Sequence, residues 1–334
     1  MLKKKKVFII AEIGSTHDGS IGNATNLIVE AAKCGADAVK FQTHIAKEET
    51  IKNAPNPPFF KLENRYEYLD RTSFNLEQLL FLKKIAKKNK IIFLSSPFSV
   101  KAVDLLKKLS LDYYKIPSGE ITNHPLLKKV NSLNKFVFLS TGMSNWRELD
   151  LAVDIFKNKK KLVIMQCTSI YPCPIKNSGI NLIEEIRNRY EVNVGFSDHT
   201  IGSTASIAAV LKGAVVIEKH FTLSNKMYGS DAKHSMEPIE FKKFCTNIRE
   251  AETIFKTKNK KNYSNYIKNM KKIFEKSIVL KKNLKKGTII KYKYLDFKKP
   301  GHGISPIYYE KIIGLKTKSN MKKDEIVKFT NLKK

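Results

Sequence analysis

Cysteine is scarce in this 334-residue chain, and the four present are scattered. Cys34, Cys167, Cys173 and Cys245 form no C-x-x-C pair, which argues against a zinc ribbon and against a disulfide framework. Buried thiols in a reducing, cytoplasmic setting are the expectation. Long apolar runs are missing too, since none approaches the ~20 residues of a membrane helix. The opening MLKKKKVFIIAEIG has the charged start and apolar stretch of a signal peptide. Glu12 interrupts that stretch, however, and no small-residue cleavage site follows. It reads as a solvated lysine cluster feeding a buried strand. Acid is in short supply: 31 Asp and Glu stand against 62 Lys and Arg, for a net charge of +31. Arginine is scarce, whereas specific nucleic-acid readers lean on arginine forks. No RNP, KH or helix-turn-helix pattern interleaves aromatics with the lysines. The excess is therefore read as a lysine-biased solvated surface. Weak, salt-sensitive polyanion binding is expected from it, but no specific nucleic-acid partner and no membrane partner.

What is present is a repeating alternation. Strand-like runs cover Val7–Ile13, Ala38–Gln42, Ile91–Ser95, Tyr113–Ile116, Phe136–Ser140, Leu162–Gln166, Val192–Phe196 and Val215–Ile217. Helix-length segments lie between them: Asn23–Cys34, Leu76–Lys88, Val100–Leu109, Pro125–Val130, Trp146–Phe156, Asn181–Arg189 and Ser203–Leu211, with Ile239–Phe255 after the last strand. Eight strands alternating with eight helices predict an α/β fold, a closed (β/α)8 TIM barrel. A doubly wound open sheet is the runner-up, but EIGSTHDG lacks the G-x-G-x-x-G spacing of a phosphate loop.

A barrel places its chemistry at the C-terminal ends of the strands. Those ends deliver Glu12; Lys40 and Gln42; Ser95 and Ser96; Lys115, Ser118 and Glu120; Ser140; Gln166; Ser197 and His199; Glu218 and His220. Unpaired buried charge is costly, so a barrel built for stability alone would not carry this ring. Lysines with serine and glutamine donors describe a phosphate or carboxylate cradle, although internal salt bridges with the glutamates are the structural alternative. Glu12 and Glu120 offer acid/base capacity. His199 and His220 end neighbouring parallel strands, where two neutral imidazoles form a partial shell for a divalent metal; simple strand-end hydrogen bonding is the plainer reading.

The connection His44–Phe74 is long and carries NAPNPPFF, and a loop of that length suggests a substrate lid. The domain reading is a catalytic barrel over 1–255, a lysine-rich linker over 256–276 with some helix near Tyr263–Phe274, and a small mostly-β domain over 277–334. Strand-like pieces SIVL, GTIIKYKYLDF and EIVKFT surround the turn-rich KPGHGISP in that last segment.

These motifs, taken together, resemble the sialic acid synthases: N-acetylneuraminate synthase and its legionaminic and pseudaminic acid relatives. The matching runs are IIAEIGSTHDGS, ADAVKFQTHI, SSPFS, YYKIPSGEITNHPLL, LSTGMS, QCTSIYP, VGFSDHTIG, EKHFT and PGHGISP, in family order over nearly the whole chain. The resemblance implies a TIM barrel followed by an antifreeze-like SAF domain. It implies a domain-swapped homodimer in which each SAF domain caps the partner's barrel. The implied reaction is a transferase-type condensation of phosphoenolpyruvate with N-acetylmannosamine or a related N-acylated amino-hexose, releasing phosphate. Legionaminic acid synthesis from 2,4-diacetamido-2,4,6-trideoxymannose is the alternative. Carried across, His199 and His220 are implied ligands of Mn2+ or Mg2+. Lys40, Lys115, Ser118, Ser140, Gln166 and Ser197 are implied phosphoenolpyruvate contacts. Glu12, Glu120, Tyr171 and Asp231 fall on the sugar side, Glu120 also as the acid/base. Lys299 stands where the family usually has arginine reaching the partner's sugar site, and Thr16 where it commonly has asparagine. Lysine and arginine are not equivalent at a forked contact. KIPSGE favours the neuraminate and legionaminate branch. A metal-dependent barrel aldolase or isomerase and a non-enzymatic polyanion binder are the competing classes.

Overall fold

The computed structural model describes residues 6–56, 63–258, 261 and 264–334. Part of the expected lysine cluster, the PPFF of NAPNPPFF and Tyr263 lie outside them. Eight parallel strands close into a barrel: β1 (Phe8–Gly14), β2 (Ala38–Thr43), β3 (Ile92–Pro97), β4 (Tyr113–Ile116), β5 (Phe136–Ser140), β6 (Leu162–Cys167), β7 (Asn193–Asp198) and β8 (Val216–His220). β8 returns to β1 in a register running from Phe8↔Val216 to Glu12↔His220. The helices of this unit are α1 (Ile21–Cys34), α2 (Ala46–Glu49), α3 (Arg65–Thr72), α4 (Leu76–Lys88), α5 (Val100–Lys108), α6 (His124–Ser132), α7 (Trp146–Ile155), α8 (Leu182–Tyr190), α9 (Thr204–Leu211) and α10 (Pro238–Lys256). Their ends are specified locally. Ser20 caps α1 through the Asn23 N–H, and Gly35 ends it at φ 95°, a conformation that favours glycine. Reciprocal capping boxes, Asn75 with Gln78 and Asn145 with Glu148, start α4 and α7. α1 buries Ala24, Leu27, Ile28, Ala31 and Cys34, one face at helical spacing.

Two expectations need correcting here. The His44–Phe74 connection is not all loop, because α2 and α3 lie within it. Asn64 accepts from the N–H groups of Tyr66 and Glu67 and so nucleates α3. β8 also runs on to His220, beyond the expected end at Ile217, because Glu218 and His220 continue the alternation of side chains that Val216 begins.

That alternation divides the barrel interior into two storeys. Phe8, Ile10, Leu94, Tyr113, Phe138, Val163, Met165 and Val216 form one apolar cluster. Phe8, Tyr113 and Phe138 stack at 5.6–6.0 Å between ring centres. Two residues further along the same strands, the inward positions become Glu12, Lys40, Lys115, Ser140, Cys167 and Glu218. Gly195 on β7 is required where the storeys meet, since a Cβ there would stand 2.3 Å from Met165 Sδ.

The chain divides into two compact units between Thr257 and Lys258. The second contains α11 (Asn265–Phe274), the antiparallel pair β9 (Ser277–Leu280) and β10 (Leu295–Lys298), α12 (Tyr309–Ile312), and a second short pair, β11 (Lys316–Thr317) with β12 (Leu332–Lys333). Ile278, Leu280, Ile290, Leu295, Ile312 and Val327 give it a core of its own. SIVL forms the expected strand. GTIIKYKYLDF does not form one strand: its strand begins only at Leu295, because Lys291–Lys293 are exposed in succession and offer no buried face. EIVKFT is reduced to one bridge, Ile326 to Val279. No helix among the described residues is long and apolar enough to cross a membrane.

Candidate active site

The upper storey opens into a cavity of about 730 Å3 at the C-terminal rim. At its floor, Lys40 Nζ lies 3.0 Å from Glu12 Oε2 and 3.5 Å from Glu218 Oε1, and donates to Ser96 Oγ at 3.4 Å. Lys115 Nζ donates to Glu218 Oε1 at 2.6 Å, as does Ser197 Oγ at 2.9 Å. All four charged side chains are buried, at 1–4% exposure. Burial alone would raise the Glu218 carboxyl, but Lys115 and Lys40 hold it well below the usual carboxylate range. The two lysines move in opposite directions. Burial pushes Lys115 down because one carboxylate must offset both desolvation and the charge of Lys40. Lys40 rises despite burial because it has Glu12 and Glu218 together. Burial raises Glu12 against the pull of Lys40. Glu218 Oε2 is buried without a hydrogen-bond partner, an acceptor left over in a floor of two lysines and two glutamates.

One wall carries the two histidines, their ring centres 5.5 Å apart. His199 Nδ1 lies 2.8 Å from the Thr168 carbonyl, which can only accept, so Nδ1 carries the hydrogen. Burial favours the neutral ring, but Cys167 beside it raises His199 overall; in the neutral ring Nε2 is the lone-pair donor, the arrangement found in metal-ligating histidines. His220 Nδ1 is buried with no hydrogen-bond partner. Burial lowers His220 to about 4, which keeps it neutral at ordinary pH. The chemistry of this pair fits a borderline divalent ion. Among the described residues no group of three or more His, Cys, Asp or Glu is suited to hold a metal, so further ligands would be water or substrate. Tyr171 packs its ring 4.1 Å from that of His199.

Across the cavity, Asp231 Oδ2 accepts from Ser15 N at 2.7 Å and Ser15 Oγ at 2.8 Å. Gly14, at φ +54°, makes this approach possible, because a Cβ there would lie 2.3 Å from that oxygen. Thr16 donates to the carbonyls of Ile13 at 2.8 Å and Phe221 at 3.3 Å, and so ties the β1 and β8 loops together. Glu120 accepts from Asn123 Nδ2 at 2.7 Å, and burial raises its carboxyl above the ordinary value.

The cavity thus brings together Glu12, Lys40, Lys115, Ser118, Glu120, Ser140, Tyr171, Ser197, His199, His220 and Asp231. Gln166 is not among them, which corrects its expected place. Val163 and Met165 face the barrel interior, so parity along β6 puts Cys167 in the cavity and turns Gln166 away. The Gln166 amide instead lies within 3.3 Å of the Ser178 carbonyl and 3.4 Å of Thr141 Oγ1. Lys299 belongs to the second unit, where its Nζ lies 5.1 Å from the centre of the Phe274 ring. Sequence reasoning missed Cys167, His44, Arg65 and Tyr68 as lining residues. The period-two parity of β6 was the available signal for Cys167.

Residues 27–260 match the family model described as the NeuB family. The chain belongs to the NeuB family. A SAF domain model matches residues 275–333 of this NeuB-family protein. An N,N'-diacetyllegionaminic acid synthase from Campylobacter jejuni is 40% identical, over 97% of this chain and 99% of that relative. A synthase of the same name from Legionella pneumophila is 34% identical, over 94% and 91%. Among solved structures, the N-acetylneuraminic acid (sialic acid) synthetase from Leptospira borgpetersenii, in complex with citrate, superimposes with a TM-score of 0.71 at 31% identity. That match covers 79% of the NeuB-family chain and 90% of the synthetase chain.

Proposed function

We propose that this chain condenses phosphoenolpyruvate with an N-acylated amino-hexose to give a nine-carbon, sialic acid-like 2-keto acid and inorganic phosphate. The observation that carries the reading is the pair of buried lysines, Lys40 and Lys115, on the floor of one large cavity in a NeuB-family barrel. Buried ammonium groups whose charged neighbours are carboxylates are suited to a substrate with both a phosphate and a carboxylate. Ser118 and Ser140 add hydroxyls beside them, and Ser197 holds Glu218. In this reading C3 of the enol ether attacks the sugar aldehyde carbon, and positive charge develops at C2. Water adds to C2, and the C2–O bond to phosphate breaks as the ketone forms. Glu120, its carboxyl raised by burial, takes a proton of the incoming water, and that proton balances the one the sugar oxygen gains as its C=O becomes a hydroxyl. Asp231 and Tyr171 orient the sugar, and Glu12 holds Lys40 in place. When bound by His199 and His220, Mn2+ or Mg2+ would supply Lewis-acid polarisation of the aldehyde oxygen. The two legionaminate relatives favour a diacetamido sugar over N-acetylmannosamine.

The test is phosphate release from phosphoenolpyruvate against N-acetylmannosamine, its 6-phosphate and 2,4-diacetamido-2,4,6-trideoxymannose, before and after exhaustive chelation. Turnover with one of these sugars, lost on chelation and restored by Mn2+, is expected. Aldol cleavage without phosphate release would replace this reading with the aldolase one. The same panel run on Lys299→Ala examines whether Lys299 of the partner subunit serves the sugar site, which predicts a raised sugar KM and an unchanged phosphoenolpyruvate KM.

A further inference from the structure

A continuous hydrogen-bonded chain runs from α2 to the floor of the cavity. Glu49 Oε1 lies 2.8 Å from His44 Nδ1, His44 Nε2 3.0 Å from Gln42 Oε1, and Gln42 Nε2 2.9 Å from Glu12 Oε1. Glu12 Oε2 then meets Lys40 at 3.0 Å. The chain is sheltered: the side chain of Glu49 is 5% exposed and that of His44 14%. Its members are held from outside as well. The Ile45 N–H donates to Glu49 Oε2 at 3.3 Å, and the His44 ring stacks on Phe98 at 4.2 Å.

We propose that Glu49 and His44 are positioning residues that set the direction of the Gln42 amide, so that Gln42 faces the sugar as a donor and Glu12 stays ionised against Lys40. The sugar clause rests on the function proposed above; the direction of the amide does not. An ionised carboxylate only accepts, so an amide nitrogen facing Glu12 leaves the Gln42 oxygen facing His44, and His44 Nε2 must donate to it. Glu49 likewise only accepts, so His44 Nδ1 donates as well. In this setting both ring nitrogens carry hydrogen. In the reverse setting a neutral His44 accepts from the Gln42 amide, whose oxygen turns toward a Glu12 that must then hold the proton. The two settings contain the same number of protons: in the first His44 and Glu12 are both charged, in the second both are neutral. The Glu49 carboxylate beside the ring and Lys40 beside Glu12 favour the first, against the burial that raises Glu12. Glu120 and Arg65 also bear on this stretch, as does His17, and of these only Arg65 is permanently cationic. Gln42 Nε2 has a second hydrogen beyond the one given to Glu12. Since Gln42 lines the cavity, that hydrogen is available to a ligand hydroxyl.

The test uses the full-length protein labelled with 15N-histidine. Long-range 1H–15N spectra at neutral pH, with His44 assigned by its loss in His44→Leu, should show both His44 ring nitrogens bearing hydrogen in the wild type and one in Glu49→Gln. In steady state, Glu49→Gln and His44→Leu should each raise the sugar KM about ten-fold, the scale of one hydrogen bond to a charged or oriented group. The KM for phosphoenolpyruvate should stay within about two-fold. In a Gln42→Leu background neither change should cost anything further, since the chain has then lost the group it orients. A wild-type His44 with a single ring hydrogen overturns the proposal. So do equal rises in both KM values, no rise in either, or full additivity with Gln42→Leu. Absence of any phosphate release from the wild type would instead sink the function, leaving the spectra to judge the amide.

Discussion

The lower and upper storeys of the barrel are built by the same strands, two residues apart, and they obey opposite rules. Below, Phe8, Tyr113 and Phe138 fill the interior with stacked rings. Above, Glu12, Lys40, Lys115 and Glu218 bring four charges into an equally buried place. A charge pair of this kind is at best neutral for stability when compared with an apolar replacement. The lower storey thus adds to the folding free energy supplied by the larger apolar layer between strands and helices, and the upper storey is tolerated for what it does. Position along a strand, rather than burial, separates the two roles.

The sharpest way to break this contrast is Lys115→Met. It leaves Glu218 buried with a weakened counterion, so turnover should vanish and stability should fall by about 3–5 kcal/mol. Adding Glu218→Gln should restore most of the stability and none of the turnover, measured by urea unfolding and phosphate release. If both return together, the buried charges are structural. Next comes Glu120→Gln, which should lower kcat by roughly 10²–10⁴ with little change in fold. A near wild-type kcat would move the acid/base role to Glu12. In the lower storey, Phe138→Ala should cost about 3–5 kcal/mol of stability, as large-to-small core changes do, yet leave the KM values of the folded fraction nearly unchanged. The smallest effect is on pH. Burial raises Glu120 in the folded state, so the native protein binds more protons than the unfolded chain between the ordinary glutamate value and the raised one. Stability should therefore decline as pH rises through that window and level off above it. Glu120→Gln should flatten that part of the profile; an unchanged slope would assign it to Glu12.

Much of this was legible in the sequence because the barrel repeats one local rule. Apolar strand runs, helix caps and polar strand ends are all short-range signals, and the strand ends they marked reach the cavity on six of the eight strands, Ser95 and Ser96 of β3 and Gln166 of β6 being the exceptions. Gln166 failed because strand ends were read without parity: the run LVIMQC reads equally well with either face inward until Met165 is known to fill the barrel. The helices α2 and α3 were hidden in a segment rich in Pro, Asn and charge, where only a cap such as Asn64 gives a local cue. Glu218 was visible as a rim residue, but not as the hub of two lysines and a serine. That role depends on β2, β4 and β7 converging, and no spacing within one strand encodes it. The chain from Glu49 to Glu12 was invisible for the same reason, although QTHIAKEE holds three of its four members.

Gly195 ties the two storeys mechanically. The atoms closest to its missing side chain belong to Met165, 2.3 Å away, and Val216, whose carbonyl lies at 2.8 Å. Met165 sits one inward step below Cys167, and Val216 one inward step below Glu218. Adding a single methyl group, Gly195→Ala, would thus drive a wedge between β6 and β8 and tilt both strand tips. The expected result is a protein that still folds but has a raised phosphoenolpyruvate KM, although the new methyl touches no part of the cavity. In a closed barrel, a residue with no side chain acts as the clearance on which the alignment of the working end depends.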